Sequence, residues 1–119
     1  MPHLTTSTGT TPTGPVVTVA GDLDHQSAAR LRDALRDVPL RPGETLLLDL
    51  HGLTFCDSSG ISVFIAAHRQ AETAQARMAL QQVPDTVARV LTVVGLDQVF
   101  EIRPGTGTGT GNTGTRASA

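Results

Sequence analysis

The sequence predicts a single α/β domain built on a mostly parallel sheet of four to five strands with three to four helices. Three observations predict it. Short β-branched or leucine-rich runs alternate with segments of helical period, Pro and Gly punctuate the boundaries, and each helical segment is long enough to serve as a crossover between parallel neighbours.

The elements follow in order. Val16-Val17-Thr18-Val19 is compact and β-branched, and Gly21-Asp22 supplies a turn signal after it, so this run reads as a strand. Asp24 then precedes Ala28, Leu31, Ala34, Leu35 and Val38, spaced near the helical period, with Arg30, Arg32, Asp33, Arg36 and Asp37 off that stripe. This helix is stopped near Pro39. Pro42-Gly43 marks a turn, and Leu46-Leu47-Leu48-Asp49-Leu50 is a nearly unbroken apolar run that fits a strand covered on both faces. From Ser59 onward, Ile61, Phe64, Ile65, His68 and Ala71 recur at helical spacing. Met78-Ala79-Leu80 reads as a further strand. Pro84-Asp85 leads into Val87, Val90, Leu91 and Val94, with Gly95 as the C-terminal cap and Leu96 placed for the accompanying apolar contact. Val99 to Ile102 gives a last strand before Pro104.

The folded unit is expected over residues 1–104. Thr5 to Gly14, composed mainly of Thr, Ser, Gly and Pro, reads as a loop after at most a short antiparallel edge strand around His3 to Thr5. Residues 105–119 form a Gly/Thr-rich tail whose composition cannot offset the entropy of ordering, and it is expected to be disordered.

Composition narrows the function classes. The 119 residues are 39% hydrophobic and 17% charged, with three Phe as the only aromatics and a formal charge of −2. A base-stacking surface is not indicated, and no basic cluster offers an electrostatic grip on nucleic acid or an anionic membrane, so the expected partner is a protein. The single cysteine, Cys56, cannot form an internal disulfide and reads as a small core filler. No leader-like segment opens the chain and no apolar run reaches a membrane span, which points to the cytoplasm.

The most informative residues are Asp57-Ser58-Ser59-Gly60, where a strand-like run gives way to a helical pattern. A hydroxyl there is displayed at a helix N-terminus, reachable by a modifying enzyme, and its phosphate would face backbone N–H groups and the positive end of the helix dipole. Asp and Ser are also the preferred capping residues, so the same four residues fit a plain helix cap.

With these residues in view, the chain resembles the STAS domain family and, within it, the bacterial anti-sigma factor antagonists. The resemblance spans about Val16 to Ile102. It rests on Gly21-Asp22-Leu23-Asp24-His25, on Leu48-Asp49-Leu50 through Phe55-Cys56-Asp57-Ser58-Ser59-Gly60, and on Val90-Leu91 through Val94-Gly95-Leu96. It implies that Ser58 is the phosphoacceptor, with Ser59 as the second hydroxyl position, and that Asp24, which lies near it, forms the partner-binding surface together with Asp57, Ser58 and Ser59. It further implies partner switching. The unphosphorylated domain binds an anti-sigma factor that is also a serine kinase and so frees a sigma factor; phosphorylation ends the binding, and a metal-dependent serine phosphatase restores it. The kinase would bring base, nucleotide and metal, so no cofactor, metal or catalytic group is expected in this chain, which is expected to be a monomer when free. Two positions depart from the family pattern: Ser62 stands where a small Gly is frequent, and the segment before Val16 is short and Thr-rich.

A Ser58 nucleophile would need a base, and of His25, His51 and His68 only His25 lies on a loop at the same sheet end, His51 reading as a turn residue and His68 as part of an apolar stripe; no nucleophile elbow surrounds the serine. Asp22 and Asp24 lack the His or Cys partners of a metal site. No phosphate loop supports nucleotide binding. The alternative left open is a non-phosphorylated binding or scaffold module of the same fold in a regulatory or transporter complex.

Overall fold

A computed structural model describes residues 4–104. The tail 105–119, expected to be disordered, and the beginning of the edge strand at His3 lie outside the described residues. The chain runs β1 (Leu4–Thr11), β2 (Gly14–Leu23), α1 (His25–Arg36), β3 (Thr45–Cys56), α2 (Ser58–Thr73), β4 (Arg77–Val83), α3 (Asp85–Val93), a 3₁₀ turn (Leu96–Gln98) and β5 (Glu101–Pro104). The sheet order is β1-β2-β3-β4-β5, with β1 antiparallel to β2 and every later pairing parallel. Three helical crossovers thus step the chain across the sheet in sequence order, as the alternation of periods predicts.

The strand Leu4–Thr11 corrects the loop-like reading of Thr5 to Gly14. It pairs with β2 without a register break, from Leu4 opposite Gly21 to Thr11 opposite Gly14. Its polarity misleads because the strand is an edge strand with one buried apolar anchor, Leu4, while its Thr residues are β-branched and suit an extended backbone. Thr11 also builds the hairpin: its Oγ1 donates to the Gly14 carbonyl at 2.9 Å and accepts from the Thr13 N–H at 3.2 Å. Two boundaries also move. Gly21-Asp22 is a register shift inside β2 rather than a turn ending it. The last strand starts at Glu101, because the Phe100 N–H is spent on the Leu96 carbonyl in the turn after α3 and the Phe100 ring is buried.

All three helices share one core with a single face of the sheet. Leu46, Leu48 and Leu50 of β3 meet Leu31 and Leu35 of α1, Val63 and Phe64 of α2, and Val87 and Leu91 of α3 within one cluster. Each such side chain contributes roughly 1.5–3 kcal/mol by leaving water. Coverage of β3 on both faces holds only in part. Leu47 is buried on the second face, but Asp49 there is half-buried and polar-bonded: Oδ2 accepts from the Gln81 and Gln82 amides at 3.0 Å each, and Oδ1 from the His51 N–H at 3.1 Å. Burial pushes the Asp49 carboxyl up, and these hydrogen bonds outweigh it and hold the group below its usual range. His51, read as a turn residue, is an exposed member of β3.

Helix ends follow local chemistry. Gly95 adopts φ 83°, a left-handed conformation open to glycine without a Cβ penalty, and turns the chain from α3 into the 3₁₀ turn, where Leu96 packs against the core. At the start of α2 Gly60 makes the tightest approach of its kind. A Cβ there would lie 2.6 Å from Leu23 Cγ and 2.7 Å from Cys56 Sγ, so only hydrogen lets the first turn of α2 rest on the ends of β2 and β3. Gly60→Ala is expected to lower stability by about 1–3 kcal/mol through overpacking. Urea unfolding checks this, and an unchanged midpoint would contradict the close seating of α2.

Candidate functional site

The site forms where β2 and β3 end side by side. Leu23 pairs with Cys56, so the next residues, Asp24 and Asp57, leave adjacent parallel strands together and each becomes the N-cap of the helix that follows. The ladder is extended one step by the Asp57 N–H, which donates to the Leu23 carbonyl at 3.2 Å. A second clasp lies just before it: Thr54 Oγ1 donates to Asp22 Oδ1 at 2.7 Å. Asp22, weighed with Asp24 as a possible metal ligand, is thus occupied in joining two strands. No signature of this bond exists in the sequence, since its partners are 32 residues apart.

Both capping carboxylates turn onto their own helices. Asp24 Oδ1 accepts from the Gln26 and Ser27 N–H groups at 3.0 Å each, while Ser27 Oγ accepts from the Asp24 N–H at 2.9 Å, closing a reciprocal box. The Ser27 backbone and side-chain hydrogen bonds, helped by that of Gln26 and only partly opposed by desolvation, hold the Asp24 carboxyl below its usual range. Asp57 Oδ1 accepts from the Ser59 N–H at 2.9 Å and the Gly60 N–H at 3.3 Å.

Ser58 and Ser59 are therefore unlike. Ser58 is the first residue of α2 and is exposed; Ser59 is half-buried and its N–H is held by Asp57. Ser62, the departure from the family pattern, is exposed on the next turn and its Oγ donates to the Ser58 carbonyl at 3.0 Å. The plain cap reading is fulfilled by Asp57, whose carboxylate already satisfies two first-turn donors. That leaves the Ser58 hydroxyl outside the capping arrangement. Any anion added to it meets a helix N-terminus whose positive end is already shared with a carboxylate.

The remaining candidates separate. Cys56 is half-buried against the core, and burial, with the neighbouring Asp57 charge, pushes its thiol up to about 12, so the reactive thiolate is scarce at neutral pH. His25 is the exposed first residue of α1 at the site's end of the sheet. His68 is half-buried in α2, with its ring 5.7 Å from that of Phe100 and Nδ1 3.7 Å from Glu72, away from the serine pair by more than two helical turns in sequence. Among the described residues no helix is long and apolar enough to cross a membrane.

Comparison with known proteins adds an independent finding. Residues 6–104 match the family described as Mlab, STAS domain. An anti-sigma-B factor antagonist of Listeria monocytogenes is 30% identical over 94 residues, covering 79% of this chain and 82% of that protein. Among solved structures, an anti-sigma factor antagonist from Mycobacterium paratuberculosis superposes with a TM-score of 0.73 at 22% identity, covering 88% of this chain and 89% of that one. The Bacillus cell fate determinant SpoIIAA in its phosphorylated form superposes at 0.62 and 21% identity, covering 84% and 90%.

The two caps are separable by experiment. Asp57→Ala should cost about 1 kcal/mol of stability at neutral pH. The Asp24 carboxylate, whose folded-state value is depressed, should stabilise the fold at every pH well above 3.8 and lose that contribution as pH falls through its folded-state value. Urea midpoints of wild type and Asp24→Ala should therefore differ at pH 7 and converge in acid; a difference independent of pH would contradict the capping account.

Proposed function

The chain belongs to the STAS domain family, and from that premise we propose that it is an anti-sigma factor antagonist switched by phosphorylation of Ser58. Unphosphorylated, it binds an anti-sigma factor that is also a serine kinase and so releases a sigma factor; phosphorylated, it lets the anti-sigma factor go; a metal-dependent serine phosphatase returns it to the binding state.

The observation that carries this reading is the exposed Ser58, first in α2 and excluded from the capping work that Asp57 performs. The chain supplies only the hydroxyl, because a kinase brings its own base, nucleotide and metal. Phosphorylation adds roughly −1.5 to −2 charges and three acceptor oxygens. Within the free domain that group stands in water at a helix N-terminus, a tolerable place for an anion. At a partner interface it would be desolvated next to Asp57, with Asp24 at the adjoining corner. Like-charge juxtaposition of this kind costs several kcal/mol, and about 3 kcal/mol suffices for more than a hundredfold loss of affinity. The named relatives support the same direction: two are antagonists of anti-sigma factors, and SpoIIAA, described as an anti-sigma factor antagonist in its unphosphorylated form, is also solved phosphorylated.

Incubation of the purified protein with ATP, magnesium and purified serine-kinase anti-sigma factors of the same organism, followed by intact-mass measurement and peptide mapping, should give one phosphate on Ser58. Ser58→Ala should fold normally and bind without regulation, while Ser58→Asp should bind at least about tenfold more weakly. Binding without any phosphate would move the reading to a non-phosphorylated STAS binding module. Loss of both binding and stability in Ser58→Ala would make the serine a structural residue.

A further inference from the structure

The apolar exposure of this domain is concentrated. Phe55, Val90, Val93, Val94 and Val99, the exposed large hydrophobics among the described residues, all sit at the end of β3 or on α3 and the segment after it. Three of them, Phe55, Val90 and Val94, border a trough between α2 and α3. One part of the trough, about 340 Å³, is walled by Ile61, Ile65, Val94 and Leu96 on its apolar sides and by Asp57 and Ser58 at its end. A second part, about 280 Å³, continues past Phe55 and Val87 and shares Cys56, Ile61 and Val90 with the first. Asp57 is the one charged residue in the lining of either part. A mainly apolar trough with Asp57 and Ser58 at one end and two threonines, Thr54 and Thr86, along the other part, opening beside a displayed serine, is the form of a protein-docking groove.

The charge around it narrows the occupant. Asp22, Asp24, Asp57 and Asp85 stand at the three strand-to-helix junctions of this end of the domain, and segments 21–28, 53–61 and 82–88 contain no Lys or Arg. Arg89, exposed beside Val90, is the first cation along α3, so four carboxylates stand against one guanidinium around the trough mouth, a balance that favours an incoming segment with basic flanks.

We infer that this trough receives a row of apolar side chains from the anti-sigma factor, carried on a segment flanked by basic residues, and that Phe55, Val90 and Val94 help decide which anti-sigma factor is bound. The inference rests on the antagonist reading above and extends its surface from the serine to the α2–α3 groove. It also gives the phosphate a second way to act. A dianion on Ser58 stands at the trough's own wall, so apolar groups entering the trough would have to be buried against it.

The test uses the full chain and a purified serine-kinase anti-sigma factor of the same organism, with affinity measured by calorimetry. Val90→Asp combined with Val94→Asp alters two half-exposed side chains of the trough, and Val93→Asp, on the same helix but outside the lining, is the control. The double variant should bind at least about tenfold more weakly and the control within about twofold of wild type, and added salt should weaken the wild-type complex. If the aspartates disturb folding, as read by thermal unfolding, Val90→Ala with Val94→Ala repeats the comparison and should still weaken binding. Wild-type affinity in a folded trough variant, with Ser58→Asp still disruptive, overturns the trough and spares the antagonist reading. A wild-type chain that binds none of the anti-sigma factors overturns both. A homodimer of the wild type that the double variant dissociates overturns the proposal in favour of a second copy as occupant.

Discussion

The seat of α2 on the ends of β2 and β3 is the contact on which the rest of the site depends. Leu23 and Cys56 pair across the two strands, the Asp57 N–H continues that ladder to the Leu23 carbonyl, and Gly60 presses onto both side chains at a distance that leaves no room for a Cβ. The start of α2 is thereby tied to the sheet rather than to a loop. Thr54 and Asp22 brace the same two strands from the side. Because the junction is held by backbone hydrogen bonds and close packing, Ser58 has a defined position, and among the described residues no side-chain bond of its own fixes it there. Such a residue can be altered without removing a support of the fold.

That separation of support from display suits the proposed switch. Asp57 does the capping, Asp24 does the same for the neighbouring helix, and Ser58, first in α2, carries none of that load. A modification there changes the charge of the surface far more than the stability of the domain. In the proposed switch the acidic junctions and the apolar trough beside them would act together, one supplying charge for a basic segment and the other supplying area to bury. Affinity would come from the trough, and control from a group standing at its edge.

Much of this arrangement was legible in the chain. Alternating strand and helix periods located three helices and four parallel strands, Gly95 ended α3 as its position suggested, and Asp57-Ser58-Ser59-Gly60 marked the opening of α2. The edge strand was missed because its Thr-rich composition resembles a loop, and only pairing with β2 makes β-branched polar residues extended. The partial openness of β3 was hidden because Leu47 continues an apolar run while Asp49 finds partners on β4, which no local pattern reports. The clasp between Asp22 and Thr54 and the contacts of Gly60 are likewise long-range. The trough was only half visible: Val90 and Val94 read as helix-face residues, and their exposure depends on how α3 packs.

The most direct measurement compares backbone amide chemical shifts of the unmodified protein with those of the protein carrying phosphoserine at position 58. The account predicts changes confined to the first turn of α2, the facing corner at Leu23 and Asp24, and the trough residues Val90, Val94 and Leu96, with Leu46 to Leu50 undisturbed. Shifts spreading through β3 and β4 would contradict it, since phosphorylation would then act by remodelling the fold instead of changing the surface that a partner meets.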